Sequence, residues 1–184
     1  MSEDGTARAA DVIAFWRDAG PEAWFKKDEA FDESIRQRFL KTHEAAAAGK
    51  LSDWEQNAEG TLALLILLDQ FPRNMFRGSP RMFATDPQAL SLAAGAIVRG
   101  FDAQVDKMMR SFFYLPFEHS EDMADQERGV AFFKAAHDAD GLKWAEIHAD
   151  IIRRFGRFPH RNTVLGRITT PEEQKFLDAG GFGG

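Results

Sequence analysis

Thr61-Leu62-Ala63-Leu64-Leu65-Ile66-Leu67-Leu68-Asp69-Gln70-Phe71-Pro72-Arg73-Asn74 is the stretch that decides the fold. For two helical turns it offers no polar face, so a helix built from it must be surrounded by other elements. Its apolar run, Leu62 to Leu68, is the longest in the chain and far too short to cross a bilayer. Upstream, Ser52-Asp53-Trp54-Glu55 has the form of a capping box, with Leu51 as the staple residue, and marks the start of this central helix. Downstream, Pro72 lacks the N–H a helix needs and marks its end.

The flanking segments also read as helix. Val12, Ile13, Phe15 and Trp16 form an apolar face that Gly20-Pro21 terminates, and Trp24 and Phe25 sit on a short turn. Phe31, Ile35, Phe39 and Leu40 recur at helical spacing up to a capping Gly49. Thr85-Asp86-Pro87 is an N-cap with proline at the first helical position, and that helix ends at Gly100. Helices are expected over 103–115, over 121–138 with Ser120 as cap, and over 142–155 with Gly156 as C-cap. Thr170-Pro171-Glu172-Glu173 is a second capping box for a short last helix. No segment alternates with period two. The reading is therefore all-α, an array of antiparallel helix hairpins with roughly seven to nine helices. It forms one domain over 7–179, with 1–6 and 180–184 as flexible termini.

Composition sets limits on function. The chain has 184 residues and no cysteine, which removes disulfides, thiolate nucleophiles and cysteine-held metal. The opening MSEDGTARAADV is acidic and has no apolar core, so it is not a secretory signal, and a cytoplasmic protein is expected. The net charge of −6 disfavours nucleic acid and hides an asymmetry. Residues 71–85 carry Arg73, Arg77 and Arg81 without an acid, and 151–167 carry Arg153, Arg154, Arg157, Arg161 and Arg167 without an acid. Every cation in these windows is arginine, whose planar fork suits carboxylate or phosphate. The same arginines could instead pair with acids from elsewhere in the chain.

Three segments carry a resemblance to a known family. They are Leu68-Asp69-Gln70-Phe71-Pro72-Arg73-Asn74, Tyr114-Leu115-Pro116-Phe117-Glu118-His119-Ser120-Glu121 and Arg154-Phe155-Gly156-Arg157-Phe158-Pro159-His160-Arg161-Asn162. Together with Val12-Ile13-Ala14-Phe15-Trp16 and Trp24-Phe25, they resemble the bacterial family called domain of unknown function 924. The resemblance spans essentially the whole chain. It implies a tetratricopeptide-like helical architecture and no established activity.

Each motif sits at an expected helix end with polar groups past a proline. If the three converge, one ligand-binding pocket gathers Asp69, Arg73, Asn74, Tyr114, Glu118, His119, Glu121, Arg157, His160, Arg161 and Asn162. Its first reading is a site for a small anionic molecule, a carboxylate or phosphate, clamped by arginine against aromatic walls. A second is an enzyme of hydrolase type, with Glu118 and His119 as a catalytic acid–base pair. A third is a groove for an acidic or C-terminal peptide. The alternative to all three is an Arg–carboxylate network that ties helix ends together. No metal ligand set is expected, since neither H-E-x-x-H nor paired E-x-x-H occurs, and no cofactor motif is present. His43, His137 and His148 read as isolated helix residues, and Met108-Met109 as core filler.

Overall fold

A computed structural model describes residues 5–183. Its contacts divide the chain into two compact units: residues 5–77 with 81–116, and residues 78–80 with 117–183. No β-strand occurs among the described residues, and the fold is all-α. Of the termini expected to be flexible, 1–4 and 184 lie outside the described residues.

The first unit contains α1 (Ala9–Ala19), α2 (Pro21–Trp24), α3 (Glu29–Ala47), α4 (Ala58–Leu65), α5 (Phe71–Met75), α6 (Asp86–Val98) and α7 (Lys107–Arg110). The apolar run lies in α4 and the turn after it, and Leu62 to Leu68 are all buried. Around it close Trp16 of α1, Ile35 and Phe39 of α3, Phe71 of α5 and Phe112. Trp16 stacks on Trp24 at 5.8 Å and meets Phe71 edge-on at 5.5 Å, while Trp24 Nε1 donates to the Trp16 carbonyl. Each such side chain contributes roughly 1.5–3 kcal/mol through burial.

Two expectations about this central helix are corrected. Ser52–Gln56 forms a 3₁₀ turn, and the α-helix starts at Ala58, where the Asn57 side chain accepts from Gly60 N at 2.8 Å. The 3₁₀ turn packs so closely on α4 that a Cβ on Gly60 would lie 2.2 Å from the Trp54 oxygen.

Nor does Pro72 end the helix. Residues Ile66–Gln70 widen into a π-turn, and α5 continues through Pro72. The π-turn sends the Phe71 N–H to the Ile66 carbonyl, leaving the Leu67 carbonyl to His43 Nδ1 at 2.8 Å. Pro72 cannot donate to the Leu68 carbonyl, and the Thr85 hydroxyl does so at 2.5 Å. Thr85 thus makes no side-chain cap on α6, where sequence placed it as an N-cap.

The expected helix over 103–115 is broken into α7, a 3₁₀ turn at Ser111–Phe113 and the short α8 (Leu115–Glu118), which contains Pro116.

The second unit is built on the hairpin of α9 (Met123–Ala135) and α10 (Ala139–Phe155), followed by α11 (Pro171–Asp178). Asp122, not Ser120, caps α9, accepting from Ala124 N at 2.8 Å. Ser120 Oγ instead accepts from Asp122 N and donates to Asp125. Asp138 caps α10, and Gly156 ends it with φ 68°, the left-handed conformation the C-cap requires. Ile151, Ile152 and Phe158 form the core, with Ile147, Phe155, Phe176 and Phe182 packed on it. Thr170 and Glu173 form the expected capping box of α11.

Candidate functional site

The candidate residues fall into both units. Asp69, Arg73, Asn74 and Tyr114 belong to the first, and each has partners there. Arg73 forks onto Asp86 at 2.9 and 3.0 Å, lies 3.4 Å from the Asp69 carboxylate and donates to the Asp69 carbonyl. Asn74 Nδ2 donates to Asp32 at 2.7 Å, and Arg77 holds the same carboxylate through two nitrogens. Tyr114 Oη donates to Asp102 at 2.7 Å. This corner is an acid–arginine network that ties α5 to α3 and α6. A cavity of about 220 Å³ in this unit is lined in part by Ser52, Glu55, Gln88, Ser91 and Arg99, and by no candidate residue.

Glu118, His119, Glu121, Arg157, His160, Arg161 and Asn162 belong to the second unit. Two of its arginines are locked by carboxylates. Arg157 forks onto Glu173 at 2.6 and 2.8 Å, and the same carboxylate accepts from Asn162 Nδ2 and Thr170 N. Arg157, with help from Thr170 and Asn162 and against burial, holds the Glu173 carboxyl down to about 2. Arg167 forks onto Glu121 at 2.8 Å through both terminal nitrogens, and Glu121 also accepts from Phe158 N. Burial alone would raise the Glu121 carboxyl, but Arg167, the Phe158 N–H and the Arg161 charge outweigh it and bring it down.

What remains is a basic cluster with one carboxylate. His148 Nδ1 lies 2.8 Å from the Trp144 carbonyl and 3.1 Å from Glu118 Oε1. Both side chains are buried. Gln126 Nε2 donates to the Glu118 and Ser120 carbonyls at 2.7 Å each, fixing the turn that carries Glu118 and His119. Arg161 Nη2 donates to the His119 carbonyl at 3.0 Å, and its guanidinium lies 4.5 Å from the Phe158 ring. His148 and His160 pack against Phe158 at 5.5 and 5.6 Å, and against Phe182 at 4.4 and 5.2 Å. Burial pushes the His148 imidazole down to about 3, and the charges of His119, His160 and Arg161 push the same way, while the Trp144 carbonyl opposes them.

His148 was not among the sequence candidates. Its signal lay in register: it shares the buried stripe of α10 with Ala145, Ala149, Ile151 and Ile152, where a polar side chain must find partners. Phe182, close to the C-terminus, packs on two of the cluster's histidines. Among the described residues, no three His, Asp or Glu side chains are grouped so that they could hold a metal ion. None of the described helices is long and apolar enough to cross a membrane.

The class defined by fold and site is an all-helical protein whose motif residues divide between an arginine–carboxylate corner and a histidine–arginine cluster. The particular family follows from comparison. A family model described as bacterial protein of unknown function (DUF924) matches residues 12–181, and the chain belongs to this family. A solved structure of a protein of unknown function from Agrobacterium tumefaciens is 51% identical, with a TM-score of 0.90 over 93% of this chain and 97% of that one. A comparison with curated proteins finds no match.

Proposed function

We propose that the second unit binds a small anion, a carboxylate or phosphate, at the cluster of His119, His148, His160 and Arg161. The observation that carries this reading is the convergence of His148, His160 and the Arg161 guanidinium on the Phe158 ring, at 5.5, 5.6 and 4.5 Å, with Arg161 also donating to the His119 carbonyl. An anion placed there accepts from the guanidinium and from imidazole N–H groups. Phe158 and Phe182 supply the apolar walls that a small-ligand site combines with a few convergent polar groups. Arg157 and Arg167, forked onto Glu173 and Glu121, serve as frame, and the clamp is Arg161, held on the Phe158 ring and at the His119 carbonyl, with the histidines beside it.

Calorimetric titration with inorganic phosphate and with succinate tests the proposal. One saturable site is expected in the wild-type chain, weakened at least about tenfold (about 1.4 kcal/mol) in His160→Ala and in Arg161→Gln. Circular dichroism confirms that the variants remain helical. Absence of saturable binding by either anion sinks the reading.

A further inference from the structure

The tautomer of His148 follows from its surroundings. Nδ1 faces two oxygens, the Trp144 carbonyl at 2.8 Å and Glu118 Oε1 at 3.1 Å. A carbonyl oxygen can only accept, so Nδ1 carries the hydrogen. The neutral ring then has its lone pair on Nε2. No described residue donates to that atom; the side chain is only 7% exposed, yet Nε2 is not among the fully buried polar atoms left without a partner, so it stays open to a ligand. Phe182 and Phe158 pack edge-on against the imidazole, so the ring cannot turn and the direction of the lone pair is fixed. Burial keeps the ring neutral at physiological pH, which removes it as an anion-binding cation and leaves it as a fixed acceptor.

We infer that the ligand of this site is a small anion that also carries a hydroxyl, a hydroxy acid or a hydroxylated phosphate ester, whose O–H donates to His148 Nε2. This rests on the anion reading above and adds to it the class of ligand. The division of labour is between a donor, Arg161, for the charged oxygens and an acceptor, His148, for the hydroxyl. Glu118 takes no part in contacting the ligand. It is a positioning residue, 3.1 Å from the Nδ1 whose hydrogen the Trp144 carbonyl already fixes, and it supports that tautomer. A deoxy analogue would displace water from the Nε2 lone pair and leave it unanswered, which is how a site built to accept from a hydroxyl discriminates.

The test is calorimetry on two matched pairs, malate against succinate and glycerol 3-phosphate against propyl phosphate. In the wild-type chain the hydroxylated member of at least one pair is expected to bind about tenfold tighter or better. His148→Asn keeps a donor near the Nδ1 position and loses the acceptor, so the difference should shrink to within about twofold (about 0.4 kcal/mol). Equal binding within both pairs overturns the hydroxyl inference and leaves the anion site standing. A preference that survives in His148→Asn also overturns it, because another group is then the acceptor. No binding by any of the four anions removes the anion reading and this inference with it.

Discussion

Thr85 Oγ1 donates to the Leu68 carbonyl at 2.5 Å, and that carbonyl is the one to which Pro72, four residues on, cannot donate. One residue earlier, His43 Nδ1 meets the Leu67 carbonyl that the π-turn releases. The buried helix therefore passes through a proline because two side chains from α3 and the start of α6 replace its missing backbone donors. Thr85→Val should destabilise the chain by about 1–3 kcal/mol, the cost of a buried acceptor left unanswered. Thr85→Ser should recover most of that loss. Urea unfolding of the three proteins decides it, and a neutral Thr85→Val would show that the carbonyl is answered some other way.

Glu173 accepts four hydrogen bonds, two from Arg157 and one each from Asn162 and Thr170. Glu173→Gln is expected to cost about 2–4 kcal/mol, because it leaves the Arg157 guanidinium without its counter-charge. Since its folded pKa is depressed to about 2, the stabilisation is present above the unfolded value of 4.5 and lost as pH falls toward 2. Thermal melts between pH 2 and 5 should accordingly be flatter for Glu173→Gln than for the wild type. Parallel curves would count against the assignment.

Gly60 tests the packing of the 3₁₀ turn on α4. In a free helix, Gly→Ala gains about 1 kcal/mol. Here the added Cβ would meet the Trp54 carbonyl oxygen at 2.2 Å, and a backbone atom cannot step aside as a flexible side chain can. The clash decides the sign. Gly60→Ala should lower Tm, while Gly95→Ala, where nothing lies within 4 Å, should be neutral or slightly stabilising.

The helical class was legible because apolar periodicity and caps such as Thr170–Glu173 and Gly156 act locally, and local signals survive folding. The course of the chain through Pro72 was not legible, because it depends on His43 and Thr85 arriving from 24 and 17 residues away. The same limit governs the candidate residues. Arg-rich windows were visible, but whether Arg157 faces a ligand or Glu173 is settled by partners distant in sequence, and Arg167 rather than Arg161 forks onto Glu121. His148 was passed over because a lone histidine on an apolar stripe gives no sign of the Glu118 that meets it 30 residues away in sequence.

His148 supplies the last prediction, in pH. Its folded pKa of about 3 lies below the unfolded 6.5, so at intermediate pH the unfolded chain binds the extra proton and the folded one does not. Stability should be fully present above pH 6.5 and decline as pH falls toward 3, with the slope of one proton. In His148→Asn that proton is gone, and the stability profile should flatten across this window by up to one proton's slope relative to wild type. Nitrogen-15 spectra provide the direct check: the His148 signals should show the Nδ1–H tautomer unchanged from pH 8 to 5, while a histidine with its ordinary value of 6.5 would titrate midway. A His148 midpoint near 6.5 would mean that Glu118 holds the imidazolium in the fold, and the fixed acceptor at Nε2 would be lost with it.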